Sequence, residues 1–195
     1  MRSVWAAVLV CGLLTGVGAP AGAQAPSNGR GESVPIFRQL KRGQAPGMHW
    51  QMLSEQGGVR TYAVIFSTGD EVLAGLTEFA EDQHLGASRI TGIGALERAT
   101  LGWLDLNKKA YRAIRVPGQV EVTSMLGDIA LLNGKPSVHV HMTVAHPDGH
   151  VTGGHLIEAH VRPTLEVIVT EYPNKMQKGM DESTGMAVIR PQQAK

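Results

Sequence analysis

Residues 137–144 alternate between polar and apolar side chains, and this alternation restricts the fold more than any other feature of the sequence. The apolar residues share one face, because successive side chains of a β-strand point to opposite sides. They are Val138, Val140, Met142 and Val144. Such a strand buries one face in a core and directs the other outward. The pattern therefore predicts a β-sheet that is buried on one side.

A single helix signal precedes a long succession of strand-like segments. Thr68-x-x-Glu71 has the form of a capping box, in which two side chains satisfy free backbone N–H groups at a helix start. Apolar residues then recur at helical spacing, at Val72, Leu73, Leu76, Phe79 and Ala80. The later segments read as strands separated by turn residues. We predict strands at 49–54, 60–66, 88–93, 97–105, 110–116, 119–126, 129–132, 137–145, 150–159 and 165–171.

One helix and many strands favour an α+β fold, in which helices cover one face of an antiparallel sheet. We therefore predict a single domain over residues 48–172, with a largely antiparallel sheet covered by one main amphipathic helix. Residues 24–47 are rich in Gly, Pro, Gln and Ser, which predicts a flexible linker. Residues 173–195 are polar and weakly patterned, so we expect a loose C-terminal tail.

The first 23 residues have the organisation of a secretory signal peptide. A charge at Arg2 precedes an apolar run, and small residues lead to a predicted cleavage between Ala23 and Gln24. The run is shorter than the ~20 residues that span a bilayer, which favours a signal peptide over a membrane anchor. We expect a mature protein outside the cytoplasm, in the periplasm or the medium, without a membrane span. Cleavage also removes the only cysteine, Cys11, and leaves no thiolate ligand.

Histidines are concentrated in one segment of the sequence. Six of the eight lie between His139 and His160. His139 and His141 share the outward face of the alternating strand. Pro147-Asp148-Gly149 suits a three-residue hairpin loop that ends with glycine in the left-handed conformation. Counting back from that loop pairs His141 with His155, which places a third imidazole beside the first two.

Three histidines on one face form a candidate metal site. Neutral imidazole is the commonest metal ligand, and three protein ligands leave a coordination position open for water or a substrate atom, as in catalytic zinc sites. The same spacing also fits a hydrogen-bonded histidine set on an exposed or subunit-facing sheet, and both interpretations stay open. Glu121 and Glu166 are candidates for supporting the ligands or acting as bases. Strand-surface charge or a subunit-interface hydrogen bond is the alternative role for both glutamates.

Several motifs together resemble the PPC domain (plants and prokaryotes conserved domain) across residues 48–172. The central motifs are Lys135-Pro136-Ser137-Val138-His139-Val140-His141, Asp148-Gly149 and Gly153-Gly154-His155-Leu156. The flanking motifs are Gly69-Asp70, Gly92-Ile93-Gly94-Ala95, Glu121-Val122 and Thr164-Leu165-Glu166-Val167. The resemblance implies a compact α+β fold, a homotrimer, and a metal, expected to be zinc, at His139, His141 and His155.

The resemblance also associates the chain with DNA binding, because plant members carry AT-hook motifs. An AT-hook inserts the arginines of an Arg-Gly-Arg-Pro core into the minor groove, whereas this chain offers only Gly29-Arg30-Gly31-Glu32. Removing Arg2 with the signal changes 18 basic residues to 17, which equals the 17 acidic residues. Nucleic-acid binders usually show a basic excess, so we do not expect a nucleic-acid partner.

Three functional hypotheses follow from the sequence. The first is an exported, homotrimeric metal-binding module with an unknown small-molecule ligand. The second is a metal-dependent enzyme that uses the same histidines on an unknown small molecule. The third is a DNA-binding protein, through the family association alone.

Overall fold

The structure, a computed structural model, describes residues 31–191. The predicted signal peptide, its cleavage position between Ala23 and Gln24, and the start of the predicted linker lie outside the described residues. In chain order the elements are β1 (Ser33–Val34), β2 (His49–Gln56), β3 (Val59–Ser67), α1 (Val72–Asp82), β4 (Ala87–Asp105), β5 (Ala110–Val116), β6 (Val120–Leu132), β7 (Lys135–Ala145), β8 (Val151–Glu171), β9 (Gln177–Asp181) and β10 (Met186–Ile189).

These strands form one sheet, and among the described strands every pairing except β6–β9 is antiparallel. The main order is β1-β5-β4-β6-β7-β8-β3-β2, and β4 pairs additionally with β8. Strands β4, β6, β7 and β8 therefore pair in a closed cycle that holds β7 between β6 and β8. The antiparallel sheet and the one helix found among residues 31–191 confirm the predicted α+β class.

Three strands are longer than predicted. At the predicted breaks in β4 and β8, β-bulges bend the strand without ending it, whereas β6 continues through its predicted break in regular pairing. The pairing of β4 shifts register between Gly92 and Gly94. A Cβ atom on Gly94 would lie 2.7 Å from the Cα atom of Leu165, so only glycine allows this close approach. Glycine here marks a bend within one strand, where we predicted that the strands 88–93 and 97–105 are separate. The segments that join are 88–93 with 97–105 in β4, 119–126 with 129–132 in β6, and 150–159 with 165–171 in β8.

The helix α1 is capped by Glu71, so the predicted capping box at Thr68 is wrong. The Glu71 carboxylate accepts hydrogen bonds from the backbone N–H groups of Leu73 (3.2 Å) and Ala74 (2.6 Å). It also accepts one from the N–H of Ala159 on β8, at 3.1 Å. The Thr68 hydroxyl donates to a backbone carbonyl outside the helix. One buried carboxylate thus caps the helix and ties it to the sheet, which no local sequence pattern encodes.

The apolar face of α1 packs against β7 and β8 and covers the inner side of the sheet. The Phe79 ring lies 5.3 Å from that of Tyr62 and 5.8 Å from that of Trp50. Three of the four predicted inward residues of β7 are buried, namely Val140, Met142 and Val144, and the fourth, Val138, is partly buried against the same core. The helix therefore fixes which face of β7 points outward. Among residues 31–191, the structure has no helical segment that could span a lipid bilayer.

The described part of the predicted linker lies against the domain. Strand β1 pairs with β5. Arg42 donates hydrogen bonds to Glu81 (2.7 Å) and Asp82 (2.8 Å) near the end of α1. The backbone N–H of Gly47 donates to the buried carboxylate of Asp70, at 2.9 Å. This segment is therefore held by ion pairs and backbone pairing that sequence composition does not reveal.

Part of the predicted loose tail forms a hairpin of two short antiparallel strands, β9 and β10. Strand β9 also runs parallel to the end of β6, where Leu132 pairs with Lys178. The backbone N–H of Leu131 donates to the carbonyl of Met176, at 2.8 Å. Exposed backbone groups at a sheet edge offer pairing sites to any nearby segment. The tail is ordered over these residues because it satisfies such an edge.

We predict that Glu71→Ala destabilises the fold far more than Glu55→Ala on the exposed strand β2. The first change removes a helix cap and leaves the N–H of Ala159 without its acceptor. Caps and buried hydrogen bonds each contribute about 1 kcal/mol, so the expected loss in unfolding free energy is about 2 kcal/mol. Urea denaturation at fixed protein concentration measures both variants. Equal stability of the two variants would contradict this role of Glu71.

Candidate metal centre

The β7–β8 hairpin has the register that the sequence predicts. The backbone N–H of His146 donates to the carbonyl of His150 at 2.9 Å, and Gly149 adopts a φ of 84° in the loop between them. Continuing along the two strands, His141 pairs with His155. The loop therefore decides which residue of β8 stands beside the histidines of β7.

The imidazoles of His139, His141 and His155 converge on the outer face of the sheet. Each offers one ring nitrogen, and these nitrogens all lie within 4.8 Å of one another. The ring centroid of His139 lies 5.1 Å from that of His141 and 5.2 Å from that of His155. The centroids of His141 and His155 are 5.5 Å apart. All three predicted ligands are thus brought together, close enough to share one ion.

The carboxylate of Asp128 contacts the candidate ligand His139 at its ring nitrogen Nδ1. Asp128 on β6 pairs directly with His139 across the strands, and its Oδ2 atom lies 3.1 Å from His139 Nδ1. Its other oxygen, Oδ1, lies 2.9 Å from the ammonium of Lys178 on β9. A metal-binding histidine commonly donates its second ring nitrogen to a carboxylate, which fixes the ring and its tautomer. Asp128 therefore leaves Nε2 of His139 as the nitrogen available to a metal.

An aromatic ring and two glycines shape the surroundings of the third ligand. The ring of Tyr111 stacks on that of His155 with centroids 4.3 Å apart and planes inclined by 6°. A Cβ atom on Gly102 would lie 2.8 Å from the Tyr111 ring, and one on Gly154 would lie 2.8 Å from the Gly102 carbonyl oxygen. Larger side chains at these positions would displace the stacked pair. The glycines hence let β4 and β8 approach closely enough to hold His155.

The protonation states suit metal binding. Burial, reinforced by the nearby His139, lowers the pKa of His141 and also lowers the pKa of His155, the latter to about 3. Burial raises the pKa of Tyr111 to about 12, so this phenol stays neutral. Burial disfavours ionised Asp128, but the contacts with His139 and with the Lys178 ammonium outweigh it and leave the pKa of Asp128 below its usual value. Near pH 7 the imidazoles of His141 and His155 are therefore neutral, and the Asp128 carboxylate close to them is anionic.

The residues present fit a divalent metal. Nδ1 of His155 is buried and has no hydrogen-bond partner among the described residues, which is costly unless some other group satisfies it. The donor set is three imidazoles, which suit zinc, copper, iron and nickel rather than magnesium or calcium. Three protein ligands would leave a position open on a tetrahedral ion.

A cleft with a volume of about 640 Å³ lies over the three histidines. Among the described side chains that line it, none is an aspartate, glutamate, lysine or arginine. The large apolar side chains that line the cleft include Trp103, Leu104, Leu126 and Met186. The opening is therefore large enough for a small molecule beside the ion and is mainly apolar.

The other sequence candidates lie away from this group. Glu121 is exposed and pairs with Ala145, four residues along β7 from His141. Glu166 is exposed on β8. Within the described residues, neither glutamate forms a hydrogen bond or ion pair with the three histidines. His146 and His150 stack on each other at 3.9 Å and take no part in the three-histidine group.

The supporting residues were missed by the sequence analysis, although one of them had a signal. Asn133-Gly134 is a two-residue hairpin turn that pairs Leu132 with Lys135. Counting back from this pair places Asp128 opposite His139, as observed. No comparable count reaches Lys178, because it lies beyond the hairpins and meets β6 through a parallel pairing.

The comparisons with known proteins agree with this architecture. The family model of the Plants and Prokaryotes Conserved (PCC) domain, the PPC domain of the sequence analysis, matches residues 53–173. A plant- and prokaryote-conserved protein of Pyrococcus horikoshii is 28% identical with a TM-score of 0.64, and the match covers 72% of this chain and 100% of that one. No match was found among curated protein sequences.

Two further solved structures bear on the site. A candidate DNA-binding protein of Ralstonia eutropha JMP134 is 32% identical with a TM-score of 0.63, and the match covers 67% of this chain and 91% of that one. A metal-containing protein of Archaeoglobus fulgidus is 26% identical with a TM-score of 0.63, over 73% of this chain and 99% of that one. From the family match over most of the domain and from these structural relatives, we conclude that this chain belongs to the Plants and Prokaryotes Conserved domain family.

Proposed function

We propose that the protein is a metal-binding module in which His139, His141 and His155 hold one divalent ion, expected to be zinc. The observation that carries this proposal is the convergence of three ring nitrogens within 4.8 Å, with Asp128 placed behind His139. The metal-containing relative from Archaeoglobus fulgidus supports it. The bound ion would provide a positively charged centre with one position open to a ligand.

The shape and chemistry of the cleft favour a small molecule as that ligand. Leu126 and Trp103 on its walls have 58% and 54% of their surface exposed, so apolar surface is available to a bound molecule. No lysine or arginine lines the cleft within the described residues. A ligand with an apolar body and one oxygen donor for the metal matches this surface better than a chain of phosphates does.

We also propose that the protein is exported and acts as a homotrimer. Export rests on the signal-like sequence, and N-terminal sequencing of protein from an extracytoplasmic fraction should begin at Gln24.

Self-association is supported by apolar residues on the outer face of the sheet. Ile65 on β3 and Ile93 on β4 both pair with Glu166 on β8, one from each side. Ile93 exposes 60% of its surface. Exposed apolar patches of this kind mark interaction surfaces.

A metal-dependent enzyme is the alternative function for the same site. The cleft beside the open metal position favours it, because a metal can polarise a substrate oxygen or activate water. Glu121 and Glu166 lie away from this cleft, so neither is placed to serve as a base there. An enzyme would have to use a histidine or a group of the substrate for proton transfer.

DNA binding is the second alternative, and the candidate DNA-binding relative from Ralstonia eutropha favours it. We expected from the sequence that the protein does not bind nucleic acid, and that relative does not support this expectation. The basic residues in and before β5 are largely engaged within the chain: Arg115 pairs with Glu32, and the Lys109 ammonium donates to the Glu182 carbonyl at 2.6 Å. These contacts leave fewer of the basic side chains free to bind phosphates.

We predict one equivalent of zinc per chain, and its loss in His139→Ala and in His141→Ala. Each change removes one of three ligands, and we expect zinc affinity to fall at least a hundredfold, because two imidazoles hold an ion poorly. The matched control is His49→Ala, which alters an exposed histidine on β2 and should keep the metal. Elemental analysis and chelator competition measure the effect. A wild-type protein without metal affinity would rule out the metal-binding function.

We predict that light scattering of the mature protein gives three times the mass of one chain. Ile93→Arg should shift the protein to smaller species, because the charge would be buried in the proposed interface. Leu106→Arg, an equally exposed site in the β4–β5 turn, is the control and should leave the mass unchanged. A wild-type monomer at micromolar concentration would contradict the homotrimer.

Retention on DNA tests the second alternative. Binding through phosphates requires an affinity that falls steeply as salt rises from 50 to 200 mM. If the metal module is the function, we expect no retention on double-stranded DNA at 50 mM salt, in the zinc-loaded or zinc-free protein. Strong, salt-sensitive retention would instead favour a nucleic-acid partner.

A further inference from the structure

The C-terminal hairpin, formed by β9 and β10, lies beyond residue 173, where the family match ends. It nevertheless docks beside the strand that carries Asp128. Leu131 and Leu132 at the end of β6 pair with Gln177 and Lys178 on β9. The hairpin therefore lies outside the family match and reaches the edge of the candidate metal centre.

Lys178 is the closest link between this hairpin and the histidines. Its side chain is only 4% exposed, and its ammonium lies 2.9 Å from Asp128 Oδ1. It also donates a hydrogen bond to the Ser137 carbonyl at 3.1 Å. A buried ammonium is costly unless it is paired, so this contact holds both partners in a defined position. The other Asp128 oxygen faces His139 Nδ1 at 3.1 Å.

The second strand of the hairpin approaches another ligand. The Met186 sulfur on β10 lies 3.9 Å from the Tyr111 hydroxyl, and the Tyr111 ring is stacked on His155. Met186 also lines the cleft over the histidines. The hairpin thus reaches His139 through Asp128 and His155 through Tyr111, one intermediate residue in each case.

We propose that the C-terminal hairpin is a working part of the metal centre and that Lys178 is a positioning residue for His139. This inference rests on the proposed metal-binding function. With Oδ1 held by Lys178, the Asp128 carboxylate keeps Oδ2 directed at His139 Nδ1. That contact favours the tautomer with the proton on Nδ1 and leaves Nε2 free for the metal. Without Lys178, the carboxylate loses its anchor and can rotate away from the imidazole.

A double-mutant cycle with Lys178→Met and Asp128→Asn tests this chain of contacts. Residues that support a metal ligand typically change metal affinity by about ten- to a hundredfold. We expect zinc affinity, measured by chelator competition, to fall about tenfold in each single variant. In the Asp128→Asn background, Lys178→Met should cause no further loss, because Lys178 acts through that carboxylate. Lys108→Met, at an exposed lysine in the β4–β5 turn, is the matched control and should have no effect.

The cycle also separates positioning from simple charge repulsion. Removing a lysine removes a positive charge near a cation, and that effect alone would strengthen zinc binding by a similar factor in both backgrounds. Lys178→Met effects that are equal in the two backgrounds, or absent in both, would overturn the inference. If wild-type protein binds zinc and the cycle is additive, only the inference fails. If wild-type protein binds no zinc, the proposed function fails first.

Two further measurements guard against loss of folding. Circular dichroism shows whether Lys178→Met retains the fold. If it does not, Lys178→Gln takes its place in the cycle, because an amide can still donate one hydrogen bond to Asp128 and should cause a smaller loss of affinity. The ¹⁵N chemical shifts of His139 in the metal-free protein report the tautomer directly. We expect the Nδ1–H form in wild type and a mixture in Lys178→Met; an unchanged tautomer would contradict the positioning role.

Discussion

The register of the β7–β8 hairpin is the constraint on which the candidate site depends. Side chains alternate with a period of two, so a slip of one residue would move His155 to the inner face and break the site. The loop at Pro147-Asp148-Gly149 prevents this slip, because the positive φ of Gly149 closes a three-residue turn. The buried inner face of β7 secures the same register from the other side, since Val140 and Met142 cannot exchange places with His141 without exposing apolar surface.

Burial and charge are balanced around the histidines in a way that suits a cation. Three imidazoles line the cleft, while the carboxylate of Asp128 and the ammonium of Lys178 pair next to His139. The positive charge of Lys178 is thereby offset, and the carboxylate remains available to orient His139. Tyr111 plays the corresponding structural part for His155 by stacking on its ring. The ligands are consequently held by neighbours on β5, β6 and β9 as well as by their own strands.

Much of the fold could be predicted from the sequence, and the features that the prediction missed have a common cause. The single helix, the antiparallel strands and the inward face of β7 follow from local periodicity, which the sequence displays directly. The unpredicted features depend on partners that are distant in the chain. Glu71 caps α1 while also bonding to β8, Gly94 bends β4 against β8, and Arg42 holds the N-terminal segment to α1. Each of these requires a neighbour that only the folded chain supplies.

The three histidines and their common face can be read from the sequence, because a strand period and a turn length are local quantities. Counting residues back from the Asn133-Gly134 turn also places Asp128 opposite His139 on the neighbouring strand. The tertiary structure alone decided that Lys178, Met186 and Tyr111 complete the surroundings. Lys178 and Met186 belong to a short hairpin with little pattern of its own, and its place beside β6 is set by free backbone groups at the sheet edge. Local pattern thus specifies the ligands, and long-range pairing specifies what holds them.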